Sequence, residues 1–508
     1  MYSSIVSAAI LGVSCVPVQV EADVSNGLPM FSMVGYLSSR VREAQERVWT
    51  GLKNAGFAFP PKRITVNLSP ADIKKEGTRF DLPIAAALLE AFGYLDKEKT
   101  QGVCMAGELG LSGQIKGVRG ILPIVDTARK AGCRLCIVPR ANLRETEFIE
   151  GFPILGVDSI QEFMSYAEQE NWGAKENPRK EWNWRDTEKE GDFSEILGQE
   201  AAKRAAVIAA AGFHNILFIG TKGSGKTMLA SRMAGIFPGM SREESMEVSR
   251  IYSIAGLLPE DRPLLMQRPF RSPHHTVTAK AMAGGGNFPV PGEITLAHKG
   301  ILFLDELPEF RRESLEVLRQ PLENRKICIS RLGASYEFPA DFLLAAAMNP
   351  CPCGYYPDMN RCTCTQSQVS RYLKKISGPL LDRFDLCTEM RDIPGEQLWE
   401  KERGKTSREI RKEIIRAHNL QKARYKNTGI SFNSRLSGED TEKYCPMEED
   451  ARLLLRKAYE KMGLSLRGYY KILKTARTIA DLEEREIIGP EHISEAVFFR
   501  AMDKKYWK

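Results

Sequence analysis

The stretch NILFIGTKGSGKTMLASRMAGIF, residues 215–237, constrains the fold of this chain more tightly than any other part of it. Gly220-Thr221-Lys222-Gly223-Ser224-Gly225-Lys226-Thr227 satisfies the phosphate-loop pattern G-x-x-x-x-G-K-[ST]. It follows an apolar strand, Ile216–Ile219, and opens an apolar helix, the context that gives the pattern its meaning. Its glycines let backbone N–H groups wrap phosphates, and the helix N-terminus adds a favourable dipole. Lys226 is expected to neutralise the β/γ-phosphates of ATP, and the Thr227 hydroxyl to ligate Mg²⁺. The fold class expected from this segment is α/β.

A partner follows in GILFLDELPEF, residues 300–310. The apolar strand Ile301–Leu304 ends in Asp305-Glu306, and an acid at the carboxyl end of a parallel strand faces the ligand crevice. Asp305 is expected to complete the Mg²⁺ shell and Glu306 to polarise the attacking water. Two strand–helix units need roughly 60 residues, fewer than separate Lys226 from Asp305, so HHTVTAKAMAGGGNFPVPGEITLAHKG reads as inserted material. ICISRLGASYEFPADFLLAAAMN then reads as a hairpin, Ile327–Arg331 with Tyr336–Phe338 about a glycine-containing turn. A buried strand follows it and ends at Asn349, whose amide can bond the attacking water or the γ-phosphate.

Four domain-scale segments are expected. Residues 1–165 alternate strand-like and helix-like patterns, 166–190 form a charged linker, 191–395 hold the α/β unit, and 396–508 are helical. The opening MYSSIVSAAILGVSCVPVQVEADVSNGLP resembles a signal peptide but has no Lys or Arg ahead of its apolar stretch. Val16, Val18, Val20, Ala22 and Val24 alternate instead, as in a half-buried strand pair. No apolar run is long enough for a bilayer, so a cytoplasmic protein without membrane contact is expected. The net charge of +7 permits a polyanionic partner without demanding one.

Residues 345–366, AAAMNPCPCGYYPDMNRCTCTQ, hold four of the chain's 11 cysteines. Cys351, Cys353, Cys362 and Cys364 could hold Zn²⁺ tetrahedrally and pin a loop with little apolar content. A reduced metal-free turn and a disulfide switch are the other readings, and the C-x-C spacing is tighter than the usual C-x₂₋₄-C of zinc sites. Structural zinc is the favoured one.

With these motifs, VNLSPADIKKEGTRFDLPIA, RPFRSPHHT, PGEITLAHKGILFLDELPEF, LEVLRQPLE, SGPLLDRFDL and LKTARTIADL, the chain closely resembles the YifB/ComM family of magnesium-chelatase-like AAA+ ATPases. The resemblance covers nearly the whole length. It implies an AAA+ module with a helix-2 insert, a hairpin before sensor 1 and a C-terminal helical lid. It also implies a homo-oligomeric, hexameric ring with each ATP between neighbouring subunits. On this resemblance Asn349 is sensor 1, Arg383 in LLDRFD the arginine finger and Arg467 in LSLRGYY sensor 2. Arginine suits the last two roles because its fixed charge and forked donors match phosphate oxygens. One departure is the pair Thr221-Lys222, where the family usually carries two prolines. His274 and His275, as adjacent residues, are expected to point apart, serving structure or an inter-subunit contact rather than a shared metal.

The amino-terminal part resembles the Lon-protease-like (S5-type) α+β fold. Its serine position falls on Asp81 and its lysine position on Leu122, which cannot form a hydroxyl nucleophile with an amine base. The resemblance therefore implies an ATP-driven DNA motor without peptidase activity, a branch-migration helicase acting on recombination or transformation intermediates. Lys326, Arg331 and Lys299 are the cations expected to meet the phosphates of single-stranded or branched DNA, with solvated surface charge as their plain alternative. A protein-remodelling ATPase of the MoxR/chelatase type is the second functional reading.

Overall fold

The protein is described here by a computed structural model. It describes every residue except 175, 179–190, 260–262, 287–288, 332–333, 393–403 and 508, and omits the side chains of 334 and 502–504. At the amino terminus β1 (Tyr2–Leu11) and β2 (Ser14–Ser25) pair antiparallel through a turn at Gly12. The alternation seen in the sequence buries Val18, Val20, Ala22 and Val24 on one face, with Val16 partly covered. Further strands are β3 (Met30–Val34), β4 (Arg63–Ser69), β5 (Val103–Met105), β6 (Leu135–Pro139) and β7 (Ile154–Val157), in the sheet order β3-β4-β2-β1-β5-β6-β7.

Helices cover both faces of this mixed sheet. Asp81–Ala91, DLPIAAALLEA, is buried at every residue and shares one core with Val18, Val20 and Leu68. Ile121–Lys130 packs in a second core with Ala8, Cys136 and Val138. The expected linker begins later than its composition suggests. Trp172 is fully buried against Phe163 and its Nε1 donates to the Lys99 carbonyl at 3.0 Å. The start of this charged stretch is thus held to the domain by a buried aromatic ring and by Asn177, whose Nδ2 donates to the Thr146 and Ile149 carbonyls at 3.0 and 3.2 Å. The rest of that linker, 179–190, and the expected boundary at 395/396 lie outside the described residues.

The second sheet is entirely parallel. Its strands are β8 (Ile216–Gly220), β9 (Phe270–Arg271), β10 (Ile301–Leu304), β13 (Leu343–Met348) and β14 (Leu386–Met390), in the order β9-β10-β13-β8-β14. The intervening β11 (Lys326–Arg331) and β12 (Ala334–Pro339) form the expected hairpin, whose turn at 332–333 is not described. ILFIG, ILFL and LLAAAM are buried throughout, as continuous apolar strands must be when both sheet faces are covered. In register, Ile219 lies opposite Met348 and Gly220 opposite Met390. The carboxyl ends of β8, β10 and β13 therefore bring the phosphate loop, Asp305 and Asn349 to one edge. The hairpin also meets the first domain: a Cβ placed on Gly12 would lie 3.0 Å from the Glu337 carbonyl oxygen.

From 404 onward the elements are helical, chiefly Ser407–Arg424, Glu449–Met462, Leu466–Leu482 and Pro490–Tyr506. The expected lid over the nucleotide is not the arrangement found for Leu466–Leu482. It packs at the amino ends of the parallel strands: His214 Nε2 and Thr478 Oγ1 are 2.7 Å apart, and Lys471 Nζ donates to the Phe384 carbonyl at 2.9 Å. Arg435 pairs with Asp341 at 2.7 Å, just ahead of β13. The last helix runs along β14, where Lys505 reaches Glu389 at 2.8 Å. A charged cluster locks the helices together, with Asp481 fully buried between Arg424 (2.9 Å), Asn433 (2.8 Å) and Arg477 (3.1 Å). No helix among the described residues is long and apolar enough to cross a membrane.

Candidate nucleotide site and cysteine loop

The phosphate loop is shaped by its glycines. Gly223 and Gly225 have φ of 85° and 88°, the left-handed region that other residues avoid. At Gly220 a Cβ would come within 2.3 Å of the Met390 carbonyl oxygen, so β14 excludes any side chain there. Lys226 Nζ donates to the carbonyls of Gly220 (2.9 Å) and Thr221 (2.6 Å), and lies 3.5 Å from Ser224 Oγ. Burial pulls the Lys226 ammonium down to about 8, against the opposing pull of Asp305, Asp392 and Glu306.

Thr227 Oγ1 donates to Asp305 Oδ2 at 2.6 Å, while Asp305 Oδ1 accepts from the Glu306 N–H at 2.9 Å. A hydroxyl and a carboxylate so close suit the hard-oxygen shell of Mg²⁺. Glu306 adopts a left-handed backbone (φ 52°), and its side chain is 57% exposed at the strand's end. His275 Nδ1 lies 3.5 Å from Glu306 Oε2. The two histidines do not point apart: their rings lie 4.0 Å apart at a tilt of 35°. They sit where no strand or helix alternates successive side chains, and so share one side.

Residues that the motifs did not indicate complete the rim. Gln199, with φ 56°, donates through Nε2 to the Arg391 carbonyl at 2.6 Å and to the Ser224 carbonyl at 3.4 Å. Thr221 Oγ1 donates to Asp392, which also pairs with Arg361. Nothing in the local sequence around Gln199 or Asp392 distinguishes these groups from ordinary loop residues.

The two arginines lie elsewhere. Arg383 pairs with Glu323, and Arg467 approaches the same carboxylate at 3.5 Å. Asn215, immediately before β8, donates its Nδ2 to the Arg383 carbonyl at 2.9 Å. Arg383 is therefore anchored at the amino end of β8, and the phosphate loop leaves the carboxyl end. Five extended residues separate the ends by roughly 16 Å, beyond the reach of one arginine side chain.

In the cysteine loop, Cys351 Sγ lies 3.3 Å from Cys353 Sγ and 3.8 Å from Cys362 Sγ, with 3.5 Å between Cys353 and Cys362. The ligand atoms of all four, Cys364 included, fall within 4.8 Å of one another. Tetrahedral Zn–S bonds of about 2.3 Å place sulfurs about 3.8 Å apart, so the cluster has the size of a zinc site. The cysteines are free, and 3.3 Å far exceeds a covalent S–S bond of about 2.05 Å. The N–H groups of Gly354 and Tyr356 donate to Cys351 Sγ at 3.2 and 3.4 Å. Burial tends to raise Cys353, yet the Tyr355 N–H and the Cys351 thiol hold it at about 6. Burial first, then neighbouring thiols, push Cys362 up to about 12. Four crowded thiols resist shedding all their protons unless a cation sits among them.

The expected DNA contacts separate. Lys299 is taken up within its own chain. Its Nζ pairs with Asp341 at 3.0 Å and its side chain is only 17% exposed, because the buried Asp341 needs countercharge. Lys326 pairs with Glu337 across the hairpin at 3.0 Å. Arg331 stays exposed at the hairpin tip, with Nε donating to the Gly286 carbonyl of the insert at 3.3 Å. In the first domain Asp81 is buried on Arg47 (2.9 Å), whereas Leu122 belongs to the core on the other sheet face. The structure does not bring the two proposed dyad positions together.

Three family profiles match successive parts of the chain: subunit ChlI of Mg-chelatase over residues 20–142, magnesium chelatase, subunit ChlI over 192–398, and its C-terminal part over 404–500. The chain is 43% identical over 497 residues to the uncharacterized protein YifB of Salmonella typhimurium, covering 98% of this chain and 96% of that one. It is 42% identical over 501 residues to the competence protein ComM of Haemophilus influenzae, covering 98% and 97%. The magnesium-chelatase 38 kDa subunit of Rhodobacter capsulatus is 23% identical over 343 residues, or 59% of this chain and 84% of that one. A likeness that runs the full length with the first two and only part of it with the third decides the grouping, and the chain belongs to the YifB/ComM family of magnesium-chelatase-like proteins.

Proposed function

We propose that this protein is an ATP-hydrolysing ring motor of the AAA+ class that moves branched or single-stranded DNA in the cytoplasm. The observation that carries the ATPase part is the meeting of Thr227 with Asp305 at the mouth of a glycine-shaped phosphate loop. On this reading Lys226 exchanges two backbone carbonyls for the β/γ-phosphates. Mg²⁺, when bound beside Thr227 and Asp305, neutralises phosphate charge. Glu306 holds the attacking water, with His275 orienting its carboxylate, and Asn349 fixes the water's other side. Arg383 and Arg467 act on the ATP of a neighbouring copy, exchanging Glu323 for phosphate oxygens. The first domain keeps a Lon-protease-like fold as a scaffold without peptidase chemistry, and the four cysteines hold a structural zinc.

The DNA part rests on the exposed Arg331 beside the glycine turn of the insert, on a hairpin whose second strand leads to β13 and Asn349. Grip on DNA of arbitrary sequence must come from phosphates, so binding should weaken steeply with salt. The test is the ATPase rate with and without single-stranded, duplex and four-way-junction DNA over a salt series. Stimulation by DNA that Arg331→Ala lowers several-fold, with the DNA-free rate unchanged, supports the motor. If no DNA binds at low salt and none stimulates hydrolysis, protein remodelling becomes the better reading.

A further inference from the structure

The cysteine loop does more than close on itself, because one flank lies beside the phosphate loop and the other is tied to it through Asp392. It follows Asn349 directly, and its fifth residue, Gly354, turns left-handed (φ 90°). A Cβ on Gly354 would lie 3.4 Å from Lys222 Cβ, 3.5 Å from the Lys222 nitrogen and 3.9 Å from Asn349 Cγ. The same glycine donates its N–H to Cys351 Sγ at 3.2 Å. One residue thus sits between a cluster thiol and the phosphate loop, with space for no more than a methyl group before Lys222.

The second flank uses charge. Arg361, next to Cys362, lies over the Tyr355 ring at 4.2 Å and pairs with Asp392. Asp392 in turn accepts from Thr221 Oγ1, and the Thr221 and Arg361 bonds hold its carboxyl below the usual range. Thr221 and Lys222 are the residues gripped, and neither has a ring to fix its own φ. A cavity of about 350 Å³ lined by Thr221, Tyr355, Arg361, Arg391 and Lys505 lies between the two loops. The loops are therefore joined through discrete contacts rather than a continuous core.

We propose that metal occupancy of the four-cysteine loop sets the affinity of the phosphate loop for nucleotide, with Gly354, Arg361 and Asp392 as the positioning residues that carry the coupling. The inference rests on the zinc reading above and adds a role to it. With the metal bound, the loop keeps one shape and holds Thr221 and Lys222 in the phosphate-wrapping conformation. Without it, both contacts loosen and nucleotide binding must supply the ordering. Coupling of this kind is reciprocal, so nucleotide should also slow the loss of metal.

The test uses the full-length protein, its zinc content measured beside the dissociation constant of a fluorescent ATP analogue. Stripping the zinc, removing the chelator and restoring Mg²⁺ should weaken nucleotide binding about tenfold, and added zinc should reverse it. Arg361→Ala leaves all four cysteines in place. It should keep one zinc per chain, bind nucleotide several-fold more weakly and respond less to stripping, while Arg361→Lys recovers most of the affinity. Zinc that binds and leaves without changing nucleotide affinity, or an Arg361→Ala protein as sensitive to stripping as the parent, overturns the coupling and spares the zinc site. A protein that neither carries zinc nor takes it up overturns both.

Discussion

The two ends of the parallel sheet carry different groups of the proposed ATPase site. At the carboxyl ends, backbone N–H groups, Lys226, Thr227 and Asp305 are arranged by short local segments, each within seven residues of a strand terminus. At the amino ends, Arg383 and Arg467 meet on Glu323 through contacts between residues 60 and 144 positions apart. In the proposed function the first half is the one that grips the nucleotide. The second cannot reach that nucleotide, since the length of β8 lies between them. On the proposed function, a single chain holds a grip for its own ATP and arginines for a neighbour's, and a head-to-tail contact between copies would bring the opposite ends together.

The largest expected effect tests that division directly. Lys226→Ala should abolish nucleotide binding, and Arg383→Ala should cut hydrolysis by about 10³ or more with binding retained. Co-expressed, the two inactive chains should recover about a quarter of the parental ATPase, the share of random interfaces that pair an intact loop with an intact arginine. No recovery in verified mixed assemblies would place both halves of the site in one chain and break the comparison.

A smaller effect separates the ends by stability. Asp481 is buried among Arg424, Arg477 and Asn433, so Asp481→Ala leaves two cations without their carboxylate. Urea denaturation should show a loss of about 3–5 kcal/mol in the transition reporting the helical part. Below that transition, nucleotide affinity at the carboxyl ends should stay within twofold of the parent's.

The smallest effect is a pH dependence confined to one end. Burial holds Lys226 at about 8, and the phosphates favour its ammonium form. Binding is therefore at full strength below pH 8 and falls as the amine loses its proton. From pH 7 to 9 the affinity for nucleotide should drop about tenfold. Arginine stays charged throughout that range, so the contribution of Arg383 should not change with it.

Much of the carboxyl end was legible from the residues alone. GTKGSGKT between a strand and a helix, and DE after ILFL, specify backbone direction and side-chain placement within a dozen positions. The hairpin of 326–339 and the strand ending at Asn349 were legible for the same reason. Lys299 was not. It lies in a stretch rich in glycine and histidine, and only the fold reveals that Asp341, 42 positions on, takes up its charge. Trp172 misled in the opposite sense, since one buried ring outweighs the charged residues around it.

What the sequence by itself determined is the set of groups that can hold phosphate, and the alternation of strand and helix that presents them. Both depend on interactions between near neighbours, and the residue types record those directly. Tertiary structure alone decided that the helix Leu466–Leu482 lies at the strands' amino ends, that His275 faces Glu306, and that Arg361 of the cysteine loop is tied to Thr221 through Asp392. Those contacts join residues far apart in the chain. Their geometry comes from how whole elements pack, and no short stretch of residues carries that information.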